Sequence, residues 1–197
     1  MPETVAIIGA GPLGRWLALA AARAGFRVLL EDVMPTNLHH AQELLSQQPA
    51  PDDPQTAEAE PSITFVSTIE DAVREADLVI DCVPDELESK LEILWLLDRM
   101  APPRTVLATP TTHLSIADLA QCTYRPAKCI AIAAEANTLV GNPAKAATGP
   151  AAGAGTEILL RTTAKTSPET VALVKRFWTQ LGFTPVFALD PANHQET

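Results

Sequence analysis

Short, unbroken apolar runs alternate with longer stretches of helical period along most of this chain. Residues 5–8 are wholly apolar and end at glycine, the mark of a strand buried on both faces of a parallel sheet. Leu13, Leu17, Ala20, Ala21 and Ala24 then recur at helical spacing until Gly25. Residues 26–30, apolar except for Arg27, form a second run ending at Glu31 and Asp32, and residues 39–48 read as helix. Beyond them lie a strand at 63–66, a short helix at 68–75 and a strong strand at 78–83. Leu87, Leu91, Leu94 and Trp95 mark one face of a helix running to Arg99, and Pro102 and Pro103 end it. Residues 105–108 and 128–134 are strands around a helical turn or two at 115–121. Strands at 157–161 and 184–189 flank a last helix. Ser167 caps it, Pro168 opens it, Val171, Val174, Phe177, Trp178 and Leu181 face its core, and Gly182 stops it.

This alternation predicts the α/β class: a Rossmann-type, doubly wound, mostly parallel sheet with helices on both faces. One domain is expected over residues 1–190, followed by a tail at 191–197. Two stretches lack any period. Residues 49–61 carry four prolines and four acids and read as a surface loop, and residues 136–155 are rich in Ala, Gly and Pro.

Charge and cysteine content remove several function classes. The chain has 197 residues, 14 Lys and Arg against 24 Asp and Glu, and a net charge of −10, a field that repels nucleic acid and anionic membrane. Cys82, Cys122 and Cys129 form no Cys-x-x-Cys, which argues against a disulfide framework and a zinc knuckle, and for reduced thiols in the cytoplasm. No run approaches the ~20 apolar residues of a membrane span, and the first residues lack the basic region of a signal peptide. His39 and His40 point about 100° apart on a helix, so no metal face is expected there.

The chemistry is concentrated at Gly9-Ala10-Gly11-Pro12-Leu13-Gly14, a G-x-G-x-x-G motif that follows a strand and opens a helix. Gly9 permits the tight turn, Gly11 lets a pyrophosphate approach, and Gly14 lets helix and strand pack closely, with Pro12 and Leu13 at the helix start. Asp32 lies 18 residues after Gly14, where a carboxylate accepts ribose hydroxyls and repels a 2′-phosphate. Val33 follows it rather than Arg, so NAD is expected over NADP.

From residue 4 to 190 the sequence resembles the NAD-binding domain of the 3-hydroxyacyl-CoA dehydrogenase family, without that family's helical C-terminal domain. The segment from Asp77 to Lys90 carries the resemblance most specifically. Segments 96–103, 114–120, Arg125-Pro126, 166–170 and 181–185 also fit. The resemblance implies an NAD(H)-binding oxidoreductase connected with fatty acid metabolism. It also implies cofactor contacts at Val83, Pro84, Asp85, Lys90 and Thr109, the last in a loop at 109–112 where Pro110 replaces the family's Asn. For Lys90, a solvated helix residue is the alternative reading.

The family's general-base His falls on Ala133, and its orienting Glu falls on Leu159, two residues after Glu157. Acyl-CoA oxidation by this chain alone is therefore expected to be very weak. His113 adjoins the 109–112 loop and is the candidate catalytic histidine; an exposed loop histidine is the alternative. Glu135 and Asn137 are further candidate ligand contacts, and His194 lies in the tail. Two other functions stay open: a non-enzymatic NAD(H)-binding sensor or partner protein, and a reductase of a small non-CoA carbonyl substrate. A homodimer is expected, through apolar surface around Phe177 and Trp178 or around residues 139–155. Cys82 and Cys129 are expected to be core thiols in strands, Trp95 and Trp178 to pack on helix faces, and Trp16 to cover a sheet edge or a partner. Ser115 with Asp118 reads as a helix cap.

Overall fold

The computed structural model describes residues 3–47, 63–133 and 156–190. The expected features at 49–61, 136–155 and 191–197, with Glu135, Asn137 and His194, lie outside these residues. Eight strands form one sheet: β1 (Thr4–Ile8), β2 (Arg27–Glu31), β3 (Ile63–Val66), β4 (Leu78–Asp81), β5 (Val106–Pro110), β6 (Cys129–Ile132), β7 (Glu157–Thr162) and β8 (Thr184–Leu189). Their spatial order is β3-β2-β1-β4-β5-β6-β7-β8. The first six are parallel, β7 runs antiparallel to β6, and β8 is parallel to β7. The strand order reverses between β1 and β4, which opens a crevice at their carboxyl ends.

Among the described residues six helices cover the sheet: α1 (Pro12–Arg23), α2 (Pro35–Ser46), α3 (Ile69–Val73), α4 (Leu87–Met100), α5 (Ile116–Ala120) and α6 (Pro168–Gln180). Alternation along each strand sends side chains to two cores. Val5, Ile7, Val28, Leu30 and Ile80 meet α1, α2 and α6. Ala6, Ile8, Val79, Leu107 and Ala131 meet α3, α4 and α5. The expected doubly wound, mostly parallel fold is thus the observed one.

Several expectations are corrected. Helix α2 begins at Pro35, four residues before the expected start, because proline fits the first helical position. Strand β4 ends at Asp81, so Cys82 lies just past it; Cys129 is a core thiol in β6, and burial pushes it up to about 11. The buried face of α4 is Lys90, Ile93, Leu94, Leu97 and Asp98, while Leu87 and Trp95 are about half exposed. Arg99 covers the Trp95 ring, 4.8 Å from its centroid. Phe177 and Trp178 are buried, because α6 turns both onto the sheet, so this helix offers no apolar patch for a partner. Trp16 packs edge-on against Phe183, and Trp178 against both Phe177 and Phe183. Ser115 does cap α5, accepting from the Asp118 N–H at 3.3 Å, and its hydroxyl also donates to Asp190 at 2.6 Å.

Candidate functional site

The glycine loop joins β1 to α1 at the crevice. Gly9 sits at φ +105°, and a Cβ there would lie 3.3 Å from the Cys82 carbonyl oxygen, so the loop crosses β4 closely. A Cβ on Gly14 would lie 1.8 Å from the Gly9 carbonyl oxygen, which admits no side chain at that crossing of helix and strand. Gly11 is the opposite case: nothing stands within 4 Å of where its Cβ would be. Gly11 is the N-cap of α1 and supplies no side-chain cap, and no acid occupies the first turn. The amino end of α1 therefore faces open space with its amides uncovered and no negative charge to oppose an anion.

Asp32 follows β2 and is 8% exposed. One oxygen accepts from the Ala10 N–H at 2.9 Å and the other from the Met34 N–H at 2.8 Å. The Asn37 side-chain amide lies 3.1 Å from both. The carboxylate thus ties the glycine loop to the start of α2, and the exposed Asn37 covers its outer side. Arg15 donates to the Ala10 carbonyl at 2.8 Å and steadies the loop from the other flank. Neighbouring Glu31 is buried, and its carboxyl is pushed up to about 7 by burial and then by the charge on Asp32.

At the ends of β4 and β5 the chemistry is different. Lys90 is 1% exposed, and its ammonium is 2.6 Å from a carboxylate oxygen of the fully buried Asp81. Burial pushes the Asp81 carboxyl up, with the ammonium opposing it. Lys90 is therefore neither a solvated residue nor one presented at the surface; it is held beneath the floor of the crevice. Thr109 is likewise buried, because β5 continues through Pro110 and the loop starts only afterwards. The Thr109 hydroxyl acts on the Asp81 carboxylate and, with Lys90, opposes the effect of burial on it, while Asp85 Oδ1 is buried without a hydrogen-bond partner. Val83 is half-buried and Pro84 exposed at the mouth of the crevice.

Asp85 reaches across to the segment after β5. Its Oδ2 accepts from the Thr112 N–H at 3.1 Å and lies 3.4 Å from His113 Nδ1. The Thr112 hydroxyl is also 3.2 Å from that nitrogen. Arg161, on β7, donates to the Thr112 carbonyl at 3.3 Å. Ala133 and Leu159 are neighbours, joined by a backbone hydrogen bond of 2.8 Å from Ala133 N–H to the Leu159 carbonyl. No cluster of metal-ligating side chains occurs among the described residues.

The structure thus gathers Gly9, Gly11, Pro12, Leu13, Gly14 and Asp32 at one crevice, with Val83, Pro84, Asp85 and His113 along its continuation. Sequence reading missed Arg15, Asn37, Asp81 and Arg161. Asn37 alone carried a signal, an amide on the first turn of the helix that follows Asp32.

The family model for the 3-hydroxyacyl-CoA dehydrogenase NAD-binding domain matches residues 4–133. A probable 3-hydroxybutyryl-CoA dehydrogenase of Bacillus subtilis is 33% identical over 135 residues, 65% of this chain and 47% of that protein. A 5-formyl-3-hydroxy-2-methylpyridine 4-carboxylate 5-dehydrogenase of Mesorhizobium japonicum is 33% identical over 124 residues, 60% of this chain and 40% of that protein. The solved structure of a diketoreductase that acts on dicarbonyl compounds superposes with a TM-score of 0.76 at 27% identity, covering 95% of this chain and 64% of that one. The chain spans less than half the length of these two curated relatives.

Proposed function

This chain belongs to the 3-hydroxyacyl-CoA dehydrogenase NAD-binding domain family, and from that premise we propose that it holds NAD(H) for an oxidoreductase whose own substrate is not an acyl-CoA. The amino end of α1 would hold the pyrophosphate where Gly11 leaves room for it, beside Pro12 and Leu13, with Gly9 and Gly14 letting the loop fold tightly beneath. Asp32 takes the adenosine ribose diol, and Val83 and Pro84 flank the cofactor where it passes β4. The bound nicotinamide supplies hydride chemistry. The observation that carries the reading is the empty space above Gly11, next to a buried carboxylate that already grips the loop.

The same geometry supports discrimination between cofactors. A 2′-phosphate would meet the Asp32 carboxylate, and the residues directly after it, Val33 and Met34, carry no cation. NADPH is expected to bind at least ~10-fold more weakly than NADH, about 1.4 kcal/mol. Calorimetric titration of both cofactors tests this, and equal affinities would refute the role of Asp32. Gly11→Val is expected to abolish binding of both while leaving the melting transition in place.

Weak action on acyl-CoA follows from Ala133 and Leu159. Neither side chain can accept a proton, at the two positions where the family resemblance places its base and orienting carboxylate. A general base contributes about 10²–10⁴-fold, so oxidation of 3-hydroxybutyryl-CoA is expected at least ~10³-fold below a common ~10 s⁻¹. A reductase of a small carbonyl compound is favoured by Asp85 against His113 at the nicotinamide end of the crevice. The Mesorhizobium relative and the diketoreductase show that this fold family accommodates substrates whose names carry no CoA.

A further inference from the structure

We propose that Asp85 and His113 form an acid–base pair for the reduction of a short oxo acid, whose carboxylate is received by Arg161. The inference rests on the NAD(H) reading and names the substrate class for that same crevice.

The pair has the parts that acid–base work needs. His113 is exposed, so one ring nitrogen can face a substrate while Nδ1 lies 3.4 Å from Asp85 Oδ2. Asp85 is itself fixed, because the same oxygen accepts the Thr112 N–H at 3.1 Å. The Thr112 hydroxyl, 3.2 Å from Nδ1, holds the ring orientation, the Asp85 carboxylate bears on the same nitrogen from 3.4 Å, and Nε2 is left to exchange a proton. The two residues come from the carboxyl ends of β4 and β5, adjacent strands on the side of the switch point away from the adenosine-binding Asp32.

Arg161 supplies the selectivity. Its guanidinium donates to the carbonyl of Thr112, the peptide that leads directly into His113. No carboxylate lies within 4 Å of it among the described residues. A planar fork of donors beside the proton carrier suits a carboxylate on the substrate. In a chain of net charge −10, such a cation offers an oxo acid a local seat that the mean field denies.

The step balances. A hydride from the reduced dinucleotide forms the new C–H bond at the carbonyl carbon, and the C–O π pair moves to oxygen. His113 Nε2 gives its proton to that oxygen, leaving a hydroxy acid, oxidised dinucleotide and neutral imidazole. Asp85 keeps its charge throughout and acts as the positioning residue.

The test follows NADH oxidation by acetoacetate, pyruvate and 2-oxobutyrate, with butanone as the ketone lacking a carboxylate. Calorimetry measures NADH affinity in parallel. His113→Ala is expected to lower kcat for the best acid at least ~10²-fold, with NADH affinity unchanged within twofold and part of the rate restored by added imidazole. Asp85→Asn is expected to lower kcat more than KM, and Asp85→Glu to recover part of the loss. Arg161→Gln is expected to raise KM for the acid ~10-fold or more, and to lower kcat/KM for the acid far more than for butanone. Independently of turnover, acetoacetate added to the protein with NAD⁺ is expected to shift the His113 ring resonance in the NMR spectrum, assigned by its absence in His113→Ala. Bound NADH with no acid reduced and the His113 resonance unmoved would overturn the pair, as would full activity in His113→Ala. Failure of NADH to bind would overturn the cofactor reading and this one with it, and the calorimetry tells the two failures apart.

Discussion

The two ends of the crevice are built on opposite plans. Around the glycine loop, the carboxylate of Asp32 is bonded by Ala10, Met34 and Asn37, and Arg15 secures the loop carbonyl. At β4 and β5, an ion pair is sealed beneath the floor, a buried oxygen of Asp85 lacks a partner, and an exposed histidine stands 3.4 Å from Asp85. The first end is organised before any ligand arrives, which lowers the cost of binding a large, flexible dinucleotide. The second end stores uncompensated polarity, the kind of local cost that folds concentrate at reactive sites.

Breaking the sealed pair is the harshest way to probe this contrast. Lys90→Met removes one partner and leaves Asp81 buried and unpaired, with an expected loss of about 3–5 kcal/mol by urea denaturation. Lys90→Met with Asp81→Leu is expected to recover most of that, since an apolar pair needs no solvation. A single variant as stable as the wild type would show that Asp81 is not charged in the folded protein.

Glu31 probes the adenosine end through pH. Its folded carboxyl holds a proton up to about 7, whereas an unperturbed one releases it near 4.5, so the folded state binds more protons in between. Stability attributable to this group is present at acid pH and falls as pH rises through that window. Glu31→Gln is expected to leave stability unchanged near pH 4.5 and to raise it by up to about 3 kcal/mol at pH 8. A pH-independent difference between the two proteins would contradict the assignment.

The smallest expected effect is at Asn37. Asn37→Ala removes the amide that covers the outer side of Asp32, at a stability cost of about 1 kcal/mol. It also frees the face of the carboxylate that the ribose diol needs, so NADH is expected to bind a few-fold more tightly in calorimetry. Weaker NADH binding would instead make Asn37 part of the cofactor seat.

The sequence exposed these two ends unequally. The glycine loop and Asp32 are local features, because turn, helix start and strand end follow one another within a few dozen residues, and their spacing speaks directly. The strands were equally open to reading: β1, β4, β5 and β6 are buried on both faces and read as nearly continuous apolar runs, while β7 shows the alternation of a half-exposed strand. What stayed hidden depends on distant partners. A lysine on α4 looks like a solvent residue until β4 brings Asp81 to it. Asp98 is similar: it is buried because Arg125, 27 residues on, bonds its carboxylate. With Lys90 and Asp98 turned inward, Leu87 and Trp95 turn outward, against the apolar periodicity. The contact of His113 with Asp85 likewise joins two loops 28 residues apart that only the parallel crossover sets side by side.

The placement of the tryptophans has an optical consequence. Trp16 stands on the helix that begins at the glycine loop and touches Phe183; Trp178 is sealed in the core beside it; Trp95 lies about half exposed on the other side of the sheet under Arg99. One chain therefore carries three chromophores in three solvents. A soluble quencher reaches Trp95 first and Trp178 last, while Trp16 reports on the helix that begins at the glycine loop. Single-tryptophan versions would let light alone follow the cofactor layer, the sealed core and the outer face separately during one unfolding or binding event.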